Sequence, residues 1–212
     1  MIGIIGGTGP QGQGLAYRLA MAGVDVMIGS RKADKGRAAA EGLQHLGSGR
    51  VEGGANAELP GRSDMLLVAV PHEGMADTLG PLADQVTGQV VMSAVNHLGF
   101  AGGPHLVSVP AGSSAQEVAE LLPGGKVTTA FNNVSAVHLM DTDHVFDEDV
   151  LVCGDDPGAV AQTIDLVDRL DGLRGVNAGP LTHAATIEAV TAMLISINKA
   201  HKVNAGVRIV GL

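Results

Sequence analysis

Three glycines close to the start of the chain have the spacing of a turn that holds a dinucleotide. Gly7, Gly9 and Gly12 form a G-x-G-x-x-G pattern between an apolar run over residues 2–5 and a segment with helical periodicity. We expect Gly7 to allow a tight turn, Gly9 to let the backbone approach a pyrophosphate, and Gly12 to let the helix lie close to the strand. In a chain with 31 glycines the pattern alone is weak, but its position between strand and helix favours a bound dinucleotide over a purely structural turn.

The residues that follow the second predicted strand distinguish NADP from NAD. Enzymes specific for NAD carry Asp or Glu there, about 20 residues past the glycines, to hold the ribose 2′-hydroxyl. Here the stretch reads Gly29-Ser30-Arg31-Lys32, without a carboxylate. Ser30 and Arg31 can bind a 2′-phosphate through charge-assisted hydrogen bonds, and Lys35 can add a third contact. The alternative is a solvated basic helix start, but basic residues oppose the helix dipole there, so an anionic partner is favoured and we predict NADP(H).

Apolar runs alternate with helical segments along the chain, which predicts an α/β protein. We expect a Rossmann-type, doubly wound, mostly parallel sheet with a small C-terminal α/β extension. Residues 1–212 are predicted to form one dinucleotide-binding domain, with a core over 1–131 and an extension over 132–212 for the second-substrate site and dimer contacts. The predicted strands cover residues 2–5, 24–28, 65–70, 89–93, 127–131, 150–153 and a short stretch at 176.

Helices are predicted between these strands. The first follows the glycine turn, and the others end near residue 46, cover 72–85, begin near 114, end near 170, and cover 182–203. Ser114 and Glu117 have the spacing of a capping box at the start of the helix near residue 114. Residues 47–64 and 95–113 are predicted loops, the first with a short helix around 55–59.

In a doubly wound sheet the ligand lies beyond the carboxyl ends of the strands. We therefore expect several turns to face one crevice. They are the glycine turn, Ser30-Arg31, Val70-Pro71-His72, Ser93-Ala94 and Asn132-Asn133.

Few residues in these turns are suited to acid–base chemistry. Asn132 and Asn133 can hydrogen-bond a carboxamide or the carbonyls of a ring while staying neutral, although capping the following helix is an equally good interpretation. His72 follows the strand-end proline and is the histidine that we expect to contact nicotinamide or substrate. The other histidines show no ligand spacing, so no metal site is predicted, and Cys153 in an apolar run is predicted to be an inert core thiol.

Composition excludes several classes of partner. The chain of 212 residues has a formal net charge of −9 and 45% hydrophobic residues. The acidic balance argues against nucleic acid or an anionic membrane, and no apolar run reaches the roughly 18 residues of a membrane span. One cysteine and no visible signal peptide are consistent with a reducing cytoplasm.

Taken together, these motifs resemble the NADPH:coenzyme F420 oxidoreductase family. The similarity extends over nearly the whole chain in the same order, and its later motifs are more specific than the glycine turn. The matching stretches are Gly6-Gly7-Thr8-Gly9, Ile28-Gly29-Ser30-Arg31, Val70-Pro71, Val152-Cys153-Gly154-Asp155-Asp156, Asp171-Gly172-Leu173-Arg174 and Ala178-Gly179-Pro180-Leu181.

The resemblance implies a small homodimer that moves a hydride between NADPH and the deazaflavin F420 in the cytoplasm. It implies that the pyrophosphate is held by the stretch Thr8-Gly9-Pro10-Gln11 with Gly7 and Gly12 beneath it, and the 2′-phosphate by Ser30, Arg31 and Lys35. Val70-Pro71 and Ala94 would line the nicotinamide side. F420 would lie near Asn132-Asn133-Val134 and the C-terminal tail with Ala205.

Other interpretations remain open for the acceptor and the assembly. Archaeal members of the family carry His where Asn132 stands, and the run 130–136 is also similar to the NADPH-binding domain of membrane metalloreductases, which reduce an ordinary flavin. An NADPH-dependent reductase of a flavin, imine or ketone and a non-catalytic NADP-binding redox sensor are the alternatives. The apolar face of the last helix favours a homodimer, with core packing as the second interpretation. Lys199, Lys202 and Arg208 are candidates for contact with the anionic tail of F420, with the partner subunit, or with solvent only.

Overall fold

The structure is a computed structural model that describes residues 1–44 and 46–212. Its strands and helices within these residues alternate through most of the chain. The strands are β1 (Ile2–Ile5), β2 (Val26–Ser30), β3 (Val51–Ala55), β4 (Met65–Val68), β5 (Val90–Ser93), β6 (Leu98–Gly99), β7 (His105–Leu106), β8 (Lys126–Thr129), β9 (Glu148–Gly154) and β10 (Leu173–Asn177). The α-helices are α1 (Pro10–Met21), α2 (Ala33–Glu41), α3 (Met75–Leu79), α4 (Ser114–Leu121), α5 (Ala136–Met140), α6 (Pro157–Val167) and α7 (Ala184–His201).

Eight of these strands form one twisted sheet in the order β3-β2-β1-β4-β5-β8-β9-β10. Neighbouring strands are parallel from β3 to β8, and β9 and β10 are parallel to each other. Within the described residues the direction reverses between β8 and β9, which pair antiparallel. This order confirms the predicted doubly wound, mostly parallel sheet. The carboxyl ends of β1, β2, β4, β5 and β8 lie at the same edge, where such folds bind ligands.

The sheet is covered on both faces, which explains its unbroken apolar strands. Successive side chains of a strand point to opposite faces, so Ile4 packs into the cluster of α1 and Ile5 into the cluster on the other side. Leu67 and Leu66 divide in the same way, and all four side chains are buried. The core therefore consists of two apolar layers that hold the central strands in register.

Strand β3 was not predicted, because two of its five residues are glycines, which weaken a strand pattern. Its position requires them. A Cβ at Gly53 would lie 2.2 Å from the carbonyl oxygen of Gly36 in α2, and a Cβ at Gly36 would lie 2.3 Å from the carbonyl oxygen of Gly54. Helix α2 thus lies directly on β3 through backbone atoms, and residues 47–64 are not the loop that we expected.

Other boundaries also differ from the predictions. Helix α2 ends at Glu41, and the predicted helical state of His45 lies outside the described residues. The predicted loop over 95–113 contains the antiparallel pair β6 and β7. Ser113, not Ser114, caps α4, and its Oγ accepts a hydrogen bond from the amide N–H of Gln116 at 3.1 Å. Among the described residues, none of the helices is both long enough and apolar enough to cross a membrane.

Candidate cofactor and substrate cleft

The glycine turn between β1 and α1 has the geometry of a phosphate cradle, with one correction to the prediction. The left-handed backbone conformation belongs to Gly6, whose φ is +71°, and not to Gly7. Gly12 is packed as predicted, because a Cβ there would lie 2.5 Å from the Cα of Gly7. Gly9 faces open space: no described heavy atom, outside its chain neighbours, lies within 4 Å of a Cβ built on it. The free N–H groups at the start of α1 are therefore accessible to an anion.

Asn56, the residue directly after β3, holds this turn in place. Its Oδ1 accepts a hydrogen bond from the amide N–H of Gly6 at 3.1 Å, and it also lies over Gly29, where a Cβ would be 2.5 Å away. Asn56 was not among the predicted site residues because strand β3, which it follows, was not predicted. A polar residue directly after a strand next to β2 is the signal that would have identified it.

A cavity of about 640 Å³ extends from the glycine turn to the end of β2. It brings together Ser30, Arg31 and Lys35, as the sequence predicts for a 2′-phosphate site. Ser30 is buried and Arg31 is exposed. Two acidic residues, Glu73 and Asp77, also line this cavity. The lining residues are Gly6, Thr8, Gly9, Ser30, Arg31, Lys32, Lys35, Asn56, Ala69, Val70, Pro71, Glu73, Gly74, Asp77 and Thr78.

A second cavity of about 430 Å³ continues from the first. The two share Gly9, Ala69, Val70 and Pro71, so they form one cleft along the carboxyl edge of the sheet. Its walls come from the β4, β5 and β8 ends, from α7 and from the tail. The lining residues are Gly9, Pro10, Gln11, Ala69, Val70, Pro71, Ala94, Val95, Asn96, Asn132, Asn133, Val134, Ser135, Ala136, Thr191, Leu194, Ile195, Asn198 and Ala205.

The side chain of Asn132 is already engaged within the protein. Its Nδ2 donates to the carbonyl oxygen of Val95 at 3.1 Å and to Oδ1 of Asn96 at 3.3 Å. Its Oδ1 accepts from Oγ1 of Thr129 at 2.5 Å. The side chain thus ties β8 to the segment after β5, and it does not cap α5. Asn132 lines the cavity, but its amide shapes the wall instead of pointing free groups at a ligand.

Asn133 and Thr191 connect the same turn to α7. Nδ2 of Asn133 donates to the carbonyl oxygen of Ile187 and to Oγ1 of Thr191, both at 3.0 Å. Oγ1 of Thr191 donates in turn to the carbonyl oxygen of Asn132 at 3.0 Å. Both donor hydrogens of the Asn133 amide are therefore used, whereas none of the described donors reaches its Oδ1. Thr191 was missed because the helical pattern placed it in an apolar segment.

The corner before this turn has a strained backbone. Phe131 is buried and has φ +63°, a conformation that L-residues rarely adopt. Nε2 of Gln11, at the start of α1, donates to the carbonyl oxygen of Phe131 at 3.1 Å and to that of Val134 at 3.4 Å. The glycine-turn helix and the Asn132–Val134 turn are thereby held at a fixed separation on either side of the cleft.

His72 lies apart from the residues that line the two cavities. Its Nε2 donates to the carboxylate of Glu117 in α4 at 2.7 Å, and its ring stacks on His97 with centroids 3.7 Å apart. Burial lowers the pKa of His97. This arrangement fastens the Val70-Pro71 turn to α4 and to the segment after β5. Glu117, which we expected in a capping box, has this role instead.

The C-terminal tail reaches the cleft after α7. Lys202 has φ +57° and ends the helix, and the amide N–H of Ala205 donates to Oδ1 of Asn198 at 2.6 Å. Arg208 pairs with Asp147 at 2.8 Å. Lys199 and Lys202 are exposed. The tail therefore brings Ala205 to the cavity, as predicted, while Arg208 lies against the loop before β9.

Comparison with known proteins identifies relatives over the full length. Residues 1–97 match the family described as NADP oxidoreductase coenzyme F420-dependent. The chain is 36% identical to the F420-dependent NADP reductase of Methanothermobacter marburgensis, with 100% of this chain and 98% of the relative covered. It is also 36% identical, with the same coverage, to the F420-dependent NADP reductase of Methanocaldococcus jannaschii.

A solved structure from Arthrobacter sp. FB24, described as a candidate F420-dependent NADP-reductase, has the same fold. The TM-score is 0.83, with 98% of each chain covered and 24% identity. At that identity the similarity establishes the fold alone. The two full-length sequence matches place this chain in the F420-dependent NADP reductase family.

Proposed function

We propose that this protein transfers a hydride between NADPH and the deazaflavin coenzyme F420. The observation that carries the proposal is one cleft, in which a cavity lined by the glycine turn, Ser30, Arg31 and Lys35 joins a second cavity of about 430 Å³. The family to which the chain belongs supports both substrates.

The first cavity would hold the adenosine and phosphate part of NADPH. The pyrophosphate would lie over Gly9, where open space and the free N–H groups of α1 allow close approach, with Thr8 beside it and Pro10 and Gln11 on the side of the second cavity. Arg31 and Lys35 supply positive charge for the 2′-phosphate beside the Ser30 hydroxyl. The backbone of Val70-Pro71 separates this part from the nicotinamide side.

The second cavity would hold the nicotinamide and the deazaflavin ring next to each other. Its floor is apolar, from Ala94 and Val134, and residues 132–212 supply most of the remaining wall, including Thr191 and Ala205. In this assignment Asn132 is a positioning residue, because its amide is used within the protein. Oδ1 of Asn133 remains available to a ligand donor, and His72 holds the Val70-Pro71 turn in place.

Hydride transfer between two rings demands positioning more than acid–base catalysis. NADPH supplies a hydride and F420 accepts it at a carbon, so the protein has to hold the two carbons roughly 3–3.5 Å apart and exclude water. The bonds from Gln11, Asn133 and Thr191 fix the walls that would set this separation. We therefore assign no general acid or base in the cleft.

We further propose that the protein acts as a homodimer in the cytoplasm. Ile187 and Leu194 of α7 are buried, but Met193 is 59% and Ile197 43% exposed on the same helix. Two large apolar side chains on one exposed helix face favour a partner, and a second copy of the chain would cover them by twofold symmetry. The single buried cysteine agrees with a reducing compartment.

A panel of acceptors tests the assignment. NADPH oxidation would be followed with F420, with FMN and FAD, and with a cyclic imine, at matched concentrations. We expect a kcat/KM for F420 at least 100-fold above that for each other acceptor. Faster turnover with a flavin or an imine would replace F420 as the substrate, and tight NADPH binding without turnover would favour the redox sensor.

A further inference from the structure

Two histidines and a glutamate come together behind the second cavity. His138 belongs to α5, His144 to the loop that follows, and Glu148 begins β9. One potential ligand atom from each lies within 4.8 Å of the other two, and Nδ1 of His138 is 3.7 Å from Oε1 of Glu148. These residues do not line the cleft, and hydride transfer does not require them.

The cluster contains polar groups that the described residues do not satisfy. Nδ1 of His138 and Nε2 of His144 are buried and have no hydrogen-bond partner among them. Glu148 is 9% exposed, and no described group donates a hydrogen bond to its carboxylate. Burial raises the pKa of Glu148 and lowers the pKa of His138. Leaving the two buried imidazole nitrogens unpaired beside a largely buried carboxylate costs free energy, so a shared partner is favoured.

We propose that His138, His144 and Glu148 bind a divalent transition-metal ion, with zinc the best match. Two imidazole nitrogens and one carboxylate oxygen are a ligand set that zinc accepts, with a water molecule or a further protein group at the fourth position. The ion would take the place of the missing hydrogen-bond partners and neutralise the buried carboxylate.

Binding requires a small rearrangement of the two rings. They stack with centroids 3.6 Å apart and planes 17° from parallel. Tetrahedral zinc with bonds of about 2.1 Å separates its ligand atoms by about 3.4 Å, so the present spread of up to 4.8 Å must shrink by up to about 1.4 Å. We expect rotation of the two rings out of the stack to supply most of this change.

The backbone around the cluster is fixed by Arg18 of α1. Its guanidinium donates to the carbonyl oxygens of His138 at 2.8 Å and His144 at 3.3 Å, and also to those of Leu139 and Asp141. The end of α5 and the first part of the loop are thus held by one side chain. Because its charge is directed to four carbonyl oxygens, the arginine organises the site without pairing with Glu148.

The site would secure the C-terminal tail. Gly206 lies on Glu148 so closely that a Cβ there would be 2.2 Å from Cδ of the carboxylate. The carbonyl oxygen of the next residue, Val207, accepts a hydrogen bond from the amide N–H of Asp149 at 2.7 Å. Ala205 lines the second cavity. An ion that fixes Glu148 would therefore also fix the tail. Its effect on binding of the second substrate rests on the function proposed above.

Metal titration of the untagged, full-length protein tests the site. After dialysis against a chelator, Zn²⁺ is titrated by calorimetry and Co²⁺ by its visible absorption bands. We expect one equivalent to bind, and His144→Ala to weaken the affinity at least 100-fold. His201→Ala, which removes an exposed histidine at the end of α7, is the matched control and should bind like the wild type. Absence of saturable one-to-one binding by the wild type would overturn the proposal.

Glu148→Gln provides a variant that we expect to fold. Without metal it should unfold at or above the temperature of the wild type, because burial disfavours the ionised carboxylate. Zn²⁺ should raise the unfolding temperature of the wild type and of His201→Ala, but not that of Glu148→Gln. An equal rise in all three would contradict the assignment. Neither readout requires hydride transfer, so a negative result would leave the proposed function standing.

Discussion

We propose that the choice between NADP and NAD depends on the side chain of Arg31. It stands at the end of β2 beside Ser30 and Lys35, and it lines the cavity that begins at the glycine turn. Its guanidinium is exposed, so it can adapt to a phosphate without displacing a partner in the protein. A planar group with several donors suits a phosphate monoester better than a hydroxyl.

Replacing Arg31 should alter cofactor preference more than catalysis. We expect Arg31→Ala to raise the KM for NADPH about 10- to 100-fold, the range of a lost charge-assisted hydrogen bond, while kcat and the KM for NADH change little. Arg37→Ala removes a cation from α2 that pairs with Asp34 outside the cavity and serves as the control. Steady-state kinetics with both nucleotides measure the ratio. An equal loss for NADPH and NADH would show that Arg31 does not contact a 2′-phosphate.

Cys153 should be unreactive in the folded protein. Burial raises its pKa to about 12, and the thiol is completely enclosed in β9. We expect alkylation by iodoacetamide at pH 8 to be at least 100-fold slower than in the protein unfolded in guanidinium, because the thiolate is the reactive form. Mass spectrometry of timed samples measures both rates. Rapid modification without loss of structure would mean that β9 opens locally.

The candidate site could be predicted only in part from single residues. The residue types and the local spacing of Ser30, Arg31 and the glycine turn indicate what they can bind, and the structure brings them to one cavity. For Asn132 the sequence predicts either contact with a ligand or capping of the following helix, but its amide bonds Val95 and Thr129 instead. Hydrogen-bond partners from other strands are set by the packing of the sheet, and the local sequence does not contain that information.

Gly9 and Gly12, where the glycine turn leads into helix α1, have separable functions. We expect Gly9→Ala to fold with unchanged stability but to bind NADPH at least 10-fold more weakly, because its Cβ enters the open space above α1. We expect Gly12→Ala to lose about 1–3 kcal/mol of stability, the usual cost of overpacking, because its Cβ meets the backbone of Gly7 at 2.5 Å.

Thermal unfolding and fluorescence titration with NADPH separate the two effects. Gly61→Ala is a suitable control, since a Cβ there meets no described heavy atom within 4 Å outside its chain neighbours and the residue lies outside the cleft. If Gly9→Ala binds NADPH like the wild type, the pyrophosphate does not pass over this turn. If Gly12→Ala is as stable as the wild type, α1 can move from β1 without cost.

Most elements of the fold could be predicted because their periodicity is clear. The apolar runs of β1, β4 and β5 are buried on both faces and stand out from their surroundings. Strand β3 was missed because Gly53 and Gly54 are dictated by contact with α2, a constraint between distant segments. The β6–β7 pair was missed because its two-residue strands are too short to show a period.

Met193 and Ile197 form an exposed apolar face on α7 that has no partner among the described residues. We expect Met193→Lys to convert the proposed homodimer into a monomer at micromolar concentration, because a charge would be buried in an apolar contact. Met21→Lys adds the same charge at an exposed position on α1 and should leave the assembly unchanged. Analytical ultracentrifugation measures both variants. A Met193→Lys dimer as stable as that of the wild type would move the interface elsewhere.

The cleft predicts that the hydride passes directly from one ring to the other, with no exchange with water. The measurement is single turnover with NADPH deuterated at the transferred position of carbon 4, followed by mass spectrometry of the reduced F420. We predict that F420 gains one deuterium in ordinary water, and that protonated NADPH in D₂O places no carbon-bound deuterium at the same position. Loss of the label to solvent, or unchanged F420, would contradict the account.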